Sequence, residues 1–196
     1  VAALIGHTSL RNNVMSSLDR AATDAEIALM CKTLNIALEQ GAIGLSSGLA
    51  YATAIQSSET EVNALARTLA EFDCVYTTHL RTEFDLIHEA MEEAFTVGSD
   101  NNVSVVISHL KCAGVNNWGR SQELISAIEH ANTSQEVACD CYPYAASAST
   151  LDMNQVTSDF DINITWSDPH PECANQLLAD IADKWQLSLT QAAEKL

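Results

Sequence analysis

Short runs of apolar, often β-branched residues alternate along this chain with longer segments of helical spacing, and that alternation restricts the fold more than any other feature. The runs are VAALIG (1–6), AIGLSSG (42–48), CVYTTH (74–79), VSVVIS (103–108) and EVACDCY (136–142). In ATDAEIALMCKTLNIALEQG, Ile27, Met30, Leu34 and Leu38 form one apolar stripe, and Gly41 stands where a helix C-cap belongs. Residues 57–72 open on capping-type serines, carry acidic residues in the first turn and align Val62, Leu65 and Leu69. Residues 83–97 and 120–132 follow the same pattern. Strand alternating with helix implies parallel strands joined by right-handed crossovers, with the C-terminal ends of all strands on one edge.

Two architectures satisfy that rule. A doubly wound nucleotide-binding sheet needs a glycine-rich phosphate loop, and GAIGLSSGLAYA matches neither G-x-G-x-x-G nor G-x-x-x-x-G-K-[ST]. The expected fold is therefore α/β, an incomplete (β/α)8 barrel, since a complete one takes roughly 250 residues. Residues 1–150 supply its central βα units. Residues 151–196 read as an insertion and helical tail of the same domain, with helices at 172–185 and 189–196 and no clear strand before them. The chain opens on Val1, inside an apolar run and without an initiator Met, which suggests an internal piece of a longer protein.

Charge excludes some partners. Nine Lys and Arg stand against 26 Asp and Glu, a formal charge of −17, so nucleic acid and anionic membrane surfaces are repelled at long range. No apolar stretch approaches the ~20 residues that cross a bilayer, and no signal peptide is visible, which makes the cytoplasm the default compartment. The six cysteines form no C-x-x-C pair, so they are expected to be reduced and mostly buried.

The chemistry is expected at the strand ends. VVISHLK looks like a fully buried strand, yet it closes on Ser108, His109 and Lys111, and CVYTTHLR closes likewise on His79, Leu80 and Arg81. Two imidazoles at the ends of neighbouring parallel strands suit a catalytic Zn2+; two histidines hydrogen-bonded at the edge of a core fit the spacing equally. Arg81 and Lys111, two residues further on, are placed to clamp an anionic substrate group, or else to be solvated or ion-paired cations. Asp140 ends the next strand as an outer-shell partner or a loop cap. His88 and His130 fall on helices and His170 in a loop, outside the site.

GAIGLSSGLAYA, TTHLRTE, ISHLKCAGVNNWGR and DCYPYAASASTL, in this order and with GHTSLR near the start, resemble the D-aminoacylase family of N-acyl-D-amino-acid deacylases in the amidohydrolase superfamily. The resemblance runs over residues 1–151 and weakly beyond. It implies a distorted barrel that hydrolyses the amide of an N-acyl-D-amino acid with Zn2+, giving a carboxylate and the free D-amino acid. It makes His79 and His109 zinc ligands, Lys111 the partner of the substrate carboxylate and Tyr51 part of the substrate pocket. Arg81, in the T-H-x-R motif, joins them as a substrate-side residue, and His7 is expected near the pocket.

The family's H-x-H pair, a zinc-binding cysteine and the aspartate that serves as general acid/base have no match in this chain, and Ala148 stands where a substrate-contacting serine is common. On this ground the piece alone is expected to be inactive. Two other readings stand beside it: a non-catalytic barrel segment that self-associates through its open sheet edges, and an amidohydrolase acting on a cyclic amide or dipeptide.

Overall fold

A computed structural model describes residues 2–196; Val1 lies outside them. The chain divides into two compact units, Val1–Tyr142 and Pro143–Leu196.

In the first unit β1 (Leu4–Gly6) leads into α1 (His7–Val14) and α2 (Asp24–Glu39). Then follow β2 (Gly44–Gly48), α3 (Glu59–Ala70), β3 (Val75–His79), α4 (Ile87–Asn101), β4 (Val105–Ile107), α5 (Ser121–Ala131) and β5 (Val137–Cys139). The five strands are hydrogen-bonded in chain order and every pair is parallel. Sequential order with crossovers of one hand keeps the connecting helices on one face of the sheet, the winding of a barrel; a doubly wound sheet reverses its order at a switch point. The fold is the expected partial barrel.

Helices α2, α3 and α5 form where the stripes predict, whereas α4 starts and ends four residues later than the expected 83–97. Ile27, Met30, Leu34 and Leu38 of α2 are all buried. Thr23 and Glu26 close a capping box at its start. At its end Gly41, at φ +99°, donates its N–H to Leu38 O, and Ala42 donates to Ala37 O, the paired bonds of a Schellman turn. Helix α3 begins at a Ser58 cap and buries Val62, Leu65 and Leu69. The short helix α1 carries no apolar stripe in the sequence because its buried face includes His7 and Arg11 beside Leu10.

The strands are not buried on both faces, contrary to the look of VVISHLK. Leu45, Tyr76, Val105, Ile107 and Val137 pack under the helices. Ser46, Val75, Thr77, His79 and Val106, on alternate positions, remain half-buried on the other face, the interior side of a closed barrel. The cysteines also differ from expectation. All six are free thiols, but only Cys173 is buried, and Cys139 and Cys141 are exposed at the end of the edge strand β5.

In the second unit a two-residue antiparallel ladder, β6 (Asn163–Ile164) with β7 (Gln176–Leu177), precedes α6 (Leu178–Trp185) and α7 (Leu189–Lys195). So short a ladder leaves no period in the sequence, and α6 starts later than expected because Pro171–Cys173 makes a 3-10 turn first. Ile164, Leu178, Ile181 and Ala192 form a core of their own.

Candidate functional site

The β2, β3 and β4 connections bring four of the five expected site residues together. His79 is the last residue of β3, paired in register with Gly48 of β2. His109 lies two residues past β4 in a left-handed turn, at φ +44°. That conformation is strained for a side chain bearing Cβ, at about 1–3 kcal/mol. It is fixed by Asp140, whose Oδ1 accepts the His109 N–H at 2.6 Å and whose carbonyl accepts the Leu110 N–H at 2.9 Å. The two strands therefore do not end alike; the turn carries His109 back beside His79.

The result is a pair of facing imidazoles. His79 Nδ1 lies 2.9 Å from His109 Nε2, with the rings edge to face at 4.6 Å. Glu83 Oε1 lies 3.1 Å from His109 Nδ1, the far nitrogen of that ring. Lys111 Nζ reaches the same carboxylate oxygen at 2.5 Å and lies 2.9 Å from His109 Nδ1, with the Tyr142 ring 5.5 Å away. Tyr51, on the β2–α3 loop, stacks on His79 at 5.0 Å and 28°. The cluster is partly open: the side chains of His109, Lys111 and Glu83 are 31%, 24% and 11% exposed.

Burial pushes the His79 imidazole below its ordinary pKa; Glu83 opposes this, and His109 and Lys111 add to it. A neutral imidazole with its lone pair turned inward is the form that binds metal. Donor atoms of His79, Glu83 and His109 lie within 4.8 Å of one another, and among the described residues they are the group able to hold an ion. Glu83 sits against the outer nitrogen of His109, the place of a carboxylate that orients a ligating histidine. Sequence reasoning did not single it out. Its only signal is its presence in TTHLRTE, in a loop with no periodicity to point at it.

Arg81 is not brought to this cluster. Its guanidinium forks onto Glu93 of α4, Nε to Oε2 at 2.9 Å and Nη2 to Oε1 at 2.6 Å, and donates to the carbonyls of Ile55 and Ser57. His7 is sealed in a second cluster: its Nε2 donates to Glu61 Oε1 at 2.7 Å, and Arg11 Nη1 reaches both Glu61 oxygens at 2.6 and 2.7 Å. His88 pairs at the surface with Glu123, and His170 pairs with Glu172 in the second unit.

No protein-family model matches the chain. It is 39% identical over 197 residues to the N-acyl-D-glutamate deacylase of Alcaligenes xylosoxydans xylosoxydans, an alignment covering all of this chain and 40% of that protein. It is 40% identical over 181 residues to the D-aminoacylase of the same organism, covering 92% of this chain and 37% of that one. The crystal structure of N-acyl-D-glutamate deacylase from Bordetella bronchiseptica, complexed with zinc and a phosphonate mimic of the reaction's tetrahedral intermediate, matches the whole chain. The TM-score is 0.95 at 42% identity, over 42% of that chain. The chain thus spans about 40% of the length of the curated relatives it matches. Among the described residues no helix is long and apolar enough to cross a membrane.

Proposed function

We propose that this chain, similar along its whole length to N-acyl-D-amino-acid deacylases, belongs to that family of amidohydrolases and is part of an enzyme that hydrolyses the amide of an N-acyl-D-amino acid with Zn2+ held at His79 and His109. The observation that carries it is the facing of His79 Nδ1 and His109 Nε2 in a half-open cluster that also holds a cation and an aromatic wall. The donor set fits the metal: two imidazoles, one with depressed basicity, and a carboxylate behind the other. When bound, Zn2+ supplies a Lewis acid that polarises the amide carbonyl and acidifies an attacking water.

The chain's own groups then have definite tasks. For both facing nitrogens to offer lone pairs, His109 keeps its proton on Nδ1 and donates it to Glu83 Oε1. Lys111 loses His109 as an acceptor in that state, and its ammonium is available to the substrate carboxylate as a point charge. Tyr51 covers one face of His79 and, being half exposed, offers its remaining surface to the acyl-amino acid. The H-x-H pair, cysteine and aspartate implied by the resemblance have no counterpart in these 196 residues, so the chain by itself binds metal without turning over substrate.

Six free thiols suit a reducing cytoplasm. The strands β1 and β5, each paired on one side only among the described residues, suit addition of further strands or of another copy's edge.

The test is a zinc titration by calorimetry on chain 1–196 and on a His79→Ala/His109→Ala double variant. Saturable binding lost in the variant is expected; equal binding by both would sink the metal assignment. Release of free amino acid from N-acyl-D-amino acids, and not from their L-isomers, by a protein of the relatives' full length checks the reaction.

A further inference from the structure

Arg81 is the one expected site residue whose contacts lie elsewhere, and those contacts lead back to the site. Residues 49–58 connect β2 to α3 and carry Tyr51. Within the loop the Tyr51 carbonyl accepts the N–H groups of Ala54 and Ile55, both at 2.8 Å, so the tyrosine is tied to the segment that follows it. Arg81 holds that segment through Nη1 on Ile55 O at 2.8 Å and Nη2 on Ser57 O at 3.3 Å. The same guanidinium is fixed by its fork on Glu93 of α4. Arg11 takes the other side of the loop, Nε on Thr53 O at 3.0 Å, and is itself fixed by Glu61. Gly48 completes the seat: a Cβ there would stand 2.6 Å from the Tyr51 ring, so only glycine lets the ring fold back over the strand onto His79.

We propose that Arg81 is a positioning residue: it latches the carbonyls of Ile55 and Ser57 to Glu93 and thereby holds Tyr51 stacked on His79, without touching the substrate itself. T-H-L-R then couples two functions in four residues, a ligand at His79 and, two residues on, the latch for the loop that covers it. The consequence for substrate, a fixed aromatic wall beside the histidine pair, rests on the function proposed above. The latch itself does not.

The experiment reads the stacking directly, on metal-free chain 1–196, so that it is independent of the zinc assignment. Histidine ring protons are followed by NMR in 13C-histidine-labelled protein, with His79 identified by the signals missing from His79→Gln. Tyr51→Leu sets the displacement caused by losing the aromatic ring. Arg81→Lys keeps a cation facing Glu93, but one ammonium cannot fork the carboxylate and reach two carbonyls as well. The expected result is that Arg81→Lys and Arg81→Gln move the His79 signals at least about half of the way to their Tyr51→Leu positions, while the His130 signals on α5 stay in place. Gly48→Ala, which displaces the ring without touching Arg81, gives the same movement. His79 signals left at their wild-type positions in folded Arg81 variants would overturn the proposal. So would unfolding of both variants, since Arg81 would then hold the fold and not the loop.

Discussion

Two clusters in the first unit are built from the same kinds of group, a histidine, a glutamate and a basic side chain, and differ in what surrounds them. In the Arg11–Glu61–His7 cluster the side chains are 0%, 0% and 1% exposed, and Arg11 also donates to the carbonyls of Thr53, Leu18 and Arg20. In the His109–Glu83–Lys111 cluster the contact distances are nearly equal, but the side chains remain partly open and the histidine sits in a left-handed turn. Distance alone does not separate structural polar groups from chemical ones. Access does, together with saturation of the cation: every donor of the sealed guanidinium is taken, although His7 Nδ1 is buried without a hydrogen-bond partner among the described residues, and the open cluster keeps a cation and a histidine pair within reach of a ligand.

If that distinction holds, the largest effect comes from breaking the sealed cluster. Glu61→Ala leaves a guanidinium buried without its carboxylate and is expected to lower unfolding stability by about 3–5 kcal/mol, measured by urea denaturation with tryptophan fluorescence. A loss below about 1 kcal/mol would place this pair with surface ion pairs and erase the contrast. Acid sharpens the same point. Burial alone would raise the Glu61 carboxyl, but hydrogen bonds from His7 and Arg11 bring it below its ordinary range. A carboxyl with a depressed native pKa contributes stability that is complete above its unfolded-state value, near pH 4, and is lost as pH falls through the native value. Wild-type stability should drop over that acid window, and Glu61→Gln should flatten part of the drop.

In the open cluster the corresponding change acts on ligand binding. Glu83→Gln removes the carboxylate that lies beside His109 Nδ1 and, if zinc is held as proposed, is expected to weaken its binding by about 10–100-fold, read by the same titration as the double variant. Unchanged affinity would leave Glu83 as a partner of Lys111 alone.

The sequence shows these clusters unequally, and the reasons are physical. The barrel winding and the positions of five strands are legible because apolar runs and helical stripes repeat along the chain, and His79 and His109 are legible because they interrupt such runs. The sealed cluster is not, since His7 and Arg11 of α1 meet Glu61 of α3 through side-chain hydrogen bonds between segments far apart in the chain, and a polar buried face has no hydrophobic period. The left-handed turn at His109 is hidden for a different reason: histidine does not announce positive φ as glycine does, and Asp140, which holds the turn, lies one βα unit away. Arg81 shows the limit of spacing arguments. Two residues past His79 it would share that residue's face if the strand continued, but β3 ends at His79, and the chain beyond is free to send the guanidinium to Glu93.

The smallest expected effect is also the strictest test of the comparison, because it asks the open cluster to do almost nothing for the fold. Lys111→Met removes a cation paired with Glu83 in a setting where both side chains still meet water, so screening and retained hydration offset most of the Coulomb term. Methionine retains a flexible apolar side chain of similar length, and what is lost besides the ion pair is the ammonium 5.5 Å from the Tyr142 ring. Unfolding stability should therefore change by less than about 1 kcal/mol, whereas under the proposed function a full-length enzyme carrying the substitution should lose affinity for the substrate carboxylate. A loss approaching that of Glu61→Ala would mean that Lys111 and Glu83 hold the β3 and β4 connections together as Arg11 and Glu61 hold α1 and α3. The exposure of the cluster would then mark a thinly covered structural pair, and its place as a site would have to rest on the two histidines alone.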